Sequence, residues 1–198
     1  RAGSGAENSA RKALTVLFRK DPVFIQSYAL IDTNGRNILD TAGQNLGLYE
    51  KDYEYFKKTV SAGAPIVHGP VFDQQDGHAS LFFSAPIRND NGGFIGILRV
   101  EYKASIIQSI VNSTFSLQET DRLIMIVDPE TYVRIADTGD IDELYKSFKD
   151  FSATEVAEFQ AQGRMLPGAP ADVIDLTDQF VESVDNLRTT PIFNANSV

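Results

Sequence analysis

The sequence predicts an α+β fold, with a central antiparallel sheet and an N-terminal helix, followed by a second, partial unit. Three observations predict it. An Asn-Gly turn joins two β-forming segments, which is the strongest local hairpin signal in the chain. The segment Tyr49–Ala62 has the apolar periodicity of a helix. Two apolar strands, Ala79–Ile87 and Phe94–Tyr102, flank a polar, glycine-containing turn. Strands with helices at one end and in one connection make an α+β domain.

The N-terminal part of the chain predicts a helix and then a hairpin. Apolar residues recur at helical spacing within Asn8–Arg19, and Asp21-Pro22 is a stop signal for that helix. Phe24–Asp32 is rich in β-forming residues and leads into the Asn34-Gly35 turn. Ile38–Thr41 then supplies the second strand of the hairpin.

The middle of the chain predicts an aromatic helix followed by an interruption. Four apolar residues fall on one face of the predicted helix: Tyr49, Tyr53, Phe56 and Val60. Four residues after it predict a break in regular structure: Gly63, Pro65, Gly69 and Pro70. A short helix, Ala104–Asn112, is predicted after the second of the two apolar strands.

The pattern begins again after this helix, which predicts two domains, residues 1–117 and 118–198. Leu123–Asp128 and Tyr132–Ala136 predict a second hairpin. Helices are predicted for Ile141–Phe148 and Ala153–Gln162. The second unit has two clear strands, too few for a complete sheet, and we therefore expect a partial domain.

Two further features of the second unit concern a helix end and the C-terminal tail. Ser152 and Thr154 both have the side chain that favours an N-cap for the later helix. The tail from residue 165 to residue 198 is acidic and dotted with proline. It contains one strand-like segment, Pro191–Phe193, and its acidic residues predict a solvated surface.

Composition and charge exclude several classes of protein. The chain has 198 residues, 42% of them apolar and 23% charged, which is an ordinary globular composition. A net charge of -9 and a pI near 4.7 argue against nucleic-acid binding, which needs clustered Lys and Arg. The absence of cysteine excludes disulfides and thiolate metal sites. No run approaches the roughly 18 apolar residues of a membrane span, and the start at Arg1 leads us to expect an excised piece of a longer protein.

The sequence contains no pattern typical of an enzyme or of a metal site. His68 and His78 have no second ligand at metal spacing. No nucleophile–base pair and no catalytic carboxylate pair stands out. The glycine-rich segment at residues 92–96 precedes a strand rather than a helix, which is typical of a turn and not of a phosphate loop. The sequence therefore predicts a binding module without a metal or cofactor.

Polar side chains stand where a plain core would carry apolar ones. The four are Asp73, Ser84, Arg99 and Glu101. Because side chains alternate between the two faces of a strand, Ile97, Arg99 and Glu101 share one face. A charged pair there, opposite aromatic residues from a helix, suits a small polar ligand. The alternative for Arg99 and Glu101 is an exposed sheet face of little energetic value, and the alternative for Asp73 is a hairpin turn.

Four local segments, in their order and spacing, resemble the extracytoplasmic Cache (PAS-like) sensor domains of bacterial transmembrane receptors. The segments are Ile31-Asp32-Thr33-Asn34-Gly35 with Ile38-Leu39-Asp40-Thr41, Asp52-Tyr53-Glu54-Tyr55-Phe56, Ser84-Ala85-Pro86-Ile87-Arg88-Asn89-Asp90, and Gly92-Gly93-Phe94-Ile95-Gly96-Ile97-Leu98. They cover about residues 23 to 110. The chain from Arg122 to about Val198 is similar to the start of the membrane-proximal half of double-Cache sensors.

The resemblance implies a ligand site between the sheet and the aromatic helix. Tyr53 stands where amino-acid sensors of this type carry an arginine. Tyr55 and Phe56 fall on the aromatic residues that grip the ligand in such sensors. Asp73 and Glu101 fall on the two acids that hold the ligand amine.

Three more residues complete the expected site. Phe82 and Ser84 share one strand face and could line the same cavity. The Arg99 guanidinium could bind a ligand carboxylate at two points or could neutralise Glu101, which would shift ligand preference toward neutral or apolar molecules. The expected ligand-binding set is Tyr53, Tyr55, Phe56, Asp73, Phe82, Ser84, Arg99 and Glu101.

The resemblance also implies a function. It implies an extracytoplasmic, non-enzymatic domain of a membrane-anchored bacterial receptor, such as a sensor histidine kinase, a cyclase or a chemoreceptor. The expected partner is a small polar, amine-bearing ligand. The competing hypothesis is a ligand-free interaction module, which forms a homodimer through the N-terminal helix and fills the pocket with its own side chains.

Overall fold

A computed structural model describes residues 3–115, 124–139 and 141–166, together with residues 168, 182, 185 and 186. The described chain forms two compact units. The first comprises the described residues up to Pro70 and Ala79–Ile106, and the second comprises Val71–His78 and the described residues from Ile107 onward. The predicted α+β class is confirmed, because the chain combines helices with a five-stranded antiparallel sheet. The predicted domain limits, 1–117 and 118–198, stay a prediction.

Five strands build the larger sheet. Their bounds are β1 Ile25–Asp32, β2 Asn37–Asp40, β3 Ile66–Phe72, β4 Ala79–Arg88 and β5 Phe94–Lys103. Their order in space is β2-β1-β5-β4-β3, so β5, the last of these five along the chain, lies at the centre. Three helices accompany them: α1 Gly3–Phe18, α2 Glu54–Ala62 and α3 Ser105–Phe115. The predicted N-terminal helix is thereby confirmed, although it begins five residues earlier than predicted.

The predicted Asn-Gly hairpin is confirmed between β1 and β2. The Gly35 N–H donates to the Asp32 carbonyl at 3.0 Å, and Gly35 has a φ of 82°, which favours glycine. The Asp32 carboxylate also accepts from the backbone N–H groups of Asn34 and Arg36. Backbone conformation and a local side-chain acceptor therefore fix the turn together.

The register of the central strands brings polar side chains side by side. Ser84 of β4 is paired with Arg99 of β5, and Phe82 of β4 is paired with Glu101. On the other side of β5, Ser27 of β1 is paired with Glu101. Paired residues point to the same side of a sheet. These five side chains therefore share one face.

The aromatic helix is shorter than the sequence predicts, and it buries a different face. The predicted helix Tyr49–Ala62 is corrected to α2, Glu54–Ala62. Tyr49 instead forms an isolated β-bridge with Arg36, and the Glu50 N–H donates to the Gly35 carbonyl, so this segment pairs with the hairpin. Of the four residues on the predicted face, only Phe56 is buried. Tyr49, Tyr53 and Val60 are exposed, whereas the buried helix residues are Tyr55, Phe56 and Thr59.

The predicted break at residues 63–70 is wrong in its second half. Gly69 and Pro70 lie inside β3, and only the connection through Gly63 and Pro65 is irregular. β3 is an edge strand of this sheet. Proline is tolerated on an edge because one side of the strand has no ladder partner to receive an N–H.

The second unit holds the smaller hairpin, β6 Met125–Val127 and β7 Arg134–Asp137, as the sequence predicts. The predicted helix Ile141–Phe148 is wrong, because only Ile141–Glu143 forms a single 3-10 turn. The chain then turns through Tyr145, which has a φ of 68°, and Ser147 bridges to Val133. Positive φ excludes a continuing helix. The strand-like segment Pro191–Phe193 lies outside the described residues.

Helix α4 spans Ala153–Ala161, and Ser152 is its N-cap. The Ser152 hydroxyl accepts from the Glu155 N–H, and the Glu155 carboxylate accepts from the Ser152 N–H at 2.9 Å. This reciprocal arrangement is a capping box. It selects Ser152 over Thr154 as the cap.

None of the helices in the described ranges is both long and apolar enough to cross a membrane.

Candidate ligand-binding site

The predicted polar face of the sheet is centred on Arg99, whose side chain is only 2% exposed. Its Nη1 lies 3.0 Å from the Glu50 carboxylate, and its Nη2 lies 3.1 Å from the Asp40 carboxylate. Nη2 also donates to the Ser27 hydroxyl at 2.8 Å, whereas the Glu101 carboxylate is 3.8 Å away. The nearest carboxylates to Arg99 are therefore Asp40 and Glu50, and not Glu101, the partner named in the predicted alternative of neutralisation.

Burial and charge act in opposite directions on Arg99. Burial lowers the pKa of the guanidinium, because a low-dielectric site disfavours a charge. The neighbouring Glu50, Glu101 and Asp40 carboxylates favour the charged form, and together with Tyr55 they raise the pKa above its usual value. The guanidinium is therefore a permanent cation inside the unit.

The carboxylates of Asp40 and Glu50 accept hydrogen bonds from several groups besides Arg99. The Asp40 carboxylate accepts from the backbone N–H groups of Ala42 and Gly43 at 2.8 and 3.0 Å. The Asn37 amide donates to both carboxylates, at 3.2 Å to Asp40 and at 2.7 Å to Glu50. The Tyr55 hydroxyl donates to the other Glu50 oxygen. Both acids are thus held in place by the protein itself.

Glu101 differs from these two acids. Its carboxylate accepts from the hydroxyls of Ser27 and Ser80 at 3.2 and 3.1 Å, and its side chain is 18% exposed. Arg99, Asp40, Glu50 and Glu101 form one charged cluster. It holds one guanidinium and three carboxylates, which leaves a formal surplus of two negative charges. Glu101 has neutral donors and the most distant contact with Arg99. It is therefore the acid in this cluster that solvent reaches and that a cation could neutralise.

Aromatic rings from α2 and β4 cover the charged cluster. The Tyr55 ring stacks on Phe82, with centroids 5.0 Å apart and planes 16° apart. Burial, and then the nearby Glu50 charge, raise the pKa of Tyr55, so the hydroxyl stays a donor. The Tyr53 ring lies 5.9 Å from that of Tyr55 and is 55% exposed. Tyr55 is thus buried, and its neighbour Tyr53 is exposed to solvent.

A buried hydrogen bond fastens α2 to the sheet. The hydroxyls of Thr59 and Ser84 lie 2.6 Å apart, and the Thr59 hydroxyl also donates to the Tyr55 carbonyl at 2.8 Å. Ser84 is thus part of the polar face, bonded to the helix. Phe56 is buried in the same helix.

The predicted set is brought together in part. Five members lie in or directly against the cluster: Tyr55, Phe82, Ser84, Arg99 and Glu101. Asp73 belongs to the second unit, where its carboxylate accepts from the backbone N–H groups of Gln75 and Asp76. These bonds show that Asp73 lies in the turn that was the alternative interpretation, and its role in ligand binding stays a prediction.

Sequence reasoning missed Asp40, Glu50, Asn37 and Ser27. The sequence contained a signal for Asp40, which ends a short apolar strand. A carboxylate buried there needs a cationic partner, and the one buried arginine of this sheet is Arg99. Glu50 gave no such signal, since it was placed in the predicted helix. Two polar atoms of the cluster, Arg99 Nε and Asn37 Oδ1, have no hydrogen-bond partner in the described part of the chain.

The second unit holds a cavity of about 430 Å³. Its lining is Leu144, Tyr145, Lys146, Ser147, Lys149, Asp150, Phe151, Val156, Met165, Leu166 and Gly168. The Lys149 ammonium lies 5.0 and 5.3 Å from the ring centroids of Tyr132 and Phe151, which is cation–π distance.

Among the described residues, no group of three or more His, Asp or Glu side chains could hold a metal ion.

Similar solved structures include a sensor domain and an extracellular ligand-binding receptor. The sensor domain of the histidine kinase DctB from V. cholerae matches with a TM-score of 0.62 at 13% identity, over 86% of this chain and 63% of that one. An extracellular ligand-binding receptor from Desulfohalobium retbaense matches with a TM-score of 0.57 at 18% identity, over 76% of this chain and 26% of that one. The fold predicted from the Cache resemblance is thereby confirmed.

A third similar structure was solved with a ligand. The ligand-binding domain of PctC, an amino-acid chemoreceptor of Pseudomonas aeruginosa PAO1, in complex with GABA, matches with a TM-score of 0.51 at 20% identity. The match covers 81% of this chain and 66% of that one. The chain thus spans between about a quarter and two thirds of the length of these three proteins. No protein-family model matches the sequence, and no curated protein matches it significantly.

Proposed function

We propose that this chain is the extracytoplasmic sensing part of a membrane-anchored bacterial receptor, such as a histidine kinase, a cyclase or a chemoreceptor. Its ligand is a small polar molecule with an amine. The fold supports this proposal, because the three structures described above are sensor or ligand-binding domains. The chain itself binds and does not catalyse.

One observation carries the amine assignment: Glu101 is a partly exposed carboxylate in a cluster with surplus negative charge. An ammonium group at Glu101 would reduce that surplus and would form a charge-assisted hydrogen bond. The aromatic pair Tyr55 and Phe82 lies against the same cluster and supplies an apolar wall. The exposed ring of Tyr53, 5.9 Å from the Tyr55 ring, would close over a bound molecule.

Signalling would follow from a shift between two arrangements of the helices that lead to the membrane. A ligand shifts such an equilibrium only by its difference in affinity for the two states. The Thr59–Ser84 bond gives α2 a direct tie to the sheet face where Glu101 lies. Movement of α2 upon binding is therefore the expected first step.

The test is a thermal-shift screen of primary amines, amino acids and carboxylates, followed by calorimetry. A ligand at 100 times its Kd should add about 2.7 kcal/mol to the free energy of unfolding. Glu101→Gln keeps the shape of the side chain and removes its charge. We expect this variant to weaken amine binding about 10- to 100-fold, because hydrogen bonds to charged groups contribute about 1.5–3 kcal/mol.

Glu7→Gln is the matched control, since Glu7 lies exposed on α1. It should bind every ligand as the wild type does. Binding of an amine that is unchanged in folded Glu101→Gln would remove Glu101 from the site. Silence of the wild type across all amines would reject the sensing proposal for this ligand class.

The alternative function, a ligand-free dimerisation module, is favoured by a different observation. Tyr55, Phe82, Ser84 and Arg99 are all buried, and they contact one another or neighbouring side chains. On α1, Val16 and Leu17 are exposed apolar residues of the kind that a helix–helix dimer buries. Sedimentation of the wild type and of Val16→Asp distinguishes the two functions. A dimer abolished by this substitution, together with a silent ligand screen, would support the module.

A further inference from the structure

We infer that Glu50 and Asp40 set the ligand specificity of the proposed site, by holding Arg99 away from any ligand carboxylate. The preferred ligand is therefore an ammonium compound without a carboxylate group. This inference rests on the proposed function, and it adds two residues to the site that contact Arg99 rather than the ligand.

The geometry shows that the guanidinium is already occupied. Two-point binding of a carboxylate needs two neighbouring N–H groups of one arginine. Nη1 is bonded to Glu50, and Nη2 is bonded to both Asp40 and Ser27. A ligand carboxylate could take up the usual fork only by displacing one of these three partners, Glu50, Asp40 or Ser27. Nε is unpaired, but it offers a single donor.

Displacement of either acid is unfavourable. Asp40 is fixed by two backbone N–H groups, and Glu50 is fixed by the Asn37 amide and the Tyr55 hydroxyl. Both acids are almost fully buried. A buried carboxylate that loses its cation keeps the cost of desolvation without the compensating attraction.

Charge acts in the same direction as geometry. The cluster already has more carboxylates than cations, so a further carboxylate would be repelled. An ammonium group is attracted by the same surplus. The network thus favours a cation at Glu101 and disfavours a zwitterion that also carries a carboxylate.

The variant Glu50→Gln tests this inference, because it removes one charge and keeps the length of the side chain. The amide oxygen can still accept from Asn37, while Nη1 of Arg99 loses its charged partner. We expect the variant to gain affinity for a carboxylate. Asp40→Asn weakens the hold on the other terminal nitrogen, and it is the second variant should Glu50→Gln fail to fold.

The probes are three compounds with the same four-carbon chain: n-butylamine, 4-aminobutyrate and butyrate. Calorimetry should show that the wild type binds 4-aminobutyrate and butyrate at least about tenfold more weakly than Glu50→Gln does, which is about 1.4 kcal/mol. The double variant Glu50→Gln with Arg99→Gln should lose this gain. Circular dichroism confirms that each variant is folded.

The outcomes separate this inference from the proposed function. Equal affinity of the wild type and a folded variant for butyrate and 4-aminobutyrate, including no binding by either, overturns the inference. Wild-type affinity for 4-aminobutyrate that equals or exceeds its affinity for n-butylamine also overturns it. The screen of amines and the variant Glu101→Gln decide the sensing proposal independently of both results.

Discussion

The guanidinium of Arg99 and the carboxylate of Glu50 lie 3.0 Å apart, although 49 residues separate them along the chain. The pair joins the central strand β5 to the extended segment before α2. A buried ion pair is weak evidence of net stabilisation, because desolvation offsets much of the attraction. Removal of one partner is costly all the same, since the other charge stays buried without compensation.

Replacement of Arg99 by methionine should therefore destabilise the first unit by about 3–5 kcal/mol. Asp40 and Glu50 would remain in the interior without a cation. Urea unfolding followed by tyrosine fluorescence measures the change. Arg36→Met is the control, since Arg36 is exposed, and it should change the free energy of unfolding by less than about 0.5 kcal/mol. Similar effects of the two substitutions would contradict the prediction.

The Thr59–Ser84 hydrogen bond predicts a non-additive pair of substitutions. Thr59→Val and Ser84→Ala should each cost about 1–2 kcal/mol, because each leaves a buried hydroxyl without this partner. The double variant should cost less than the sum, since no orphaned hydroxyl remains. Urea unfolding of the four proteins completes the cycle. Strict additivity would mean that the 2.6 Å contact contributes no coupling energy.

Gly96 should not tolerate a side chain. Its φ is 153°, and an added Cβ would collide with the carbonyl oxygen of Ile31 on the neighbouring strand. We expect Gly96→Ala to cost about 2–4 kcal/mol, through backbone strain and displacement of β1. At Gly93 the nearest atoms belong to the Asn89 side chain, which can move. Gly93→Ala should therefore cost less than about 1 kcal/mol in the same unfolding experiment.

The capping box of α4 predicts both a stability effect and its pH dependence. Ser152→Ala should cost about 1 kcal/mol, whereas Thr154→Ala should change little, since only Ser152 caps the helix. The Ser152 hydroxyl is the largest cause that lowers the pKa of Glu155 below its ordinary value of 4.5. A depressed pKa stabilises the folded state above pH 4.5, and the effect is lost as the pH falls through the lower value.

Unfolding of Ser152→Ala and the wild type at several pH values checks this expectation. The difference between them should be largest near neutral pH and should shrink as the pH falls below the ordinary pKa of 4.5. A difference that stays constant down to pH 2 would show that the Glu155 charge plays no part. An equal loss in Thr154→Ala would show that the helix begins elsewhere.

Much of the sheet could be predicted from the sequence, because its signals are local. The Asn34-Gly35 turn requires a positive φ at the glycine, and alternation along β5 placed Arg99 and Glu101 on one face. Both rules depend only on neighbouring residues. The strand signals therefore gave β1, β2, β4 and β5 to within one residue at each end.

The rest depends on contacts that are distant in sequence. Helical periodicity led to a predicted helix that begins at Tyr49. The periodicity could not reveal that Tyr49 forms a bridge with Arg36, because this bridge is a tertiary contact. That error also hid Glu50 as the partner of Arg99. Gly69 and Pro70 predicted a break because proline is excluded from the middle of a sheet. It is tolerated in β3 because β3 lies at an edge, and the sequence alone does not show which strand lies there.

The exposed ring of Tyr53, next to the buried ring of Tyr55, makes a practical biosensor position. Because the chain has no cysteine, Tyr53→Cys would introduce a single thiol, and a solvent-sensitive dye could be attached there alone. Binding of a compound at the proposed site would change the emission of this dye. Ligands could then be screened optically, without a membrane or an output domain.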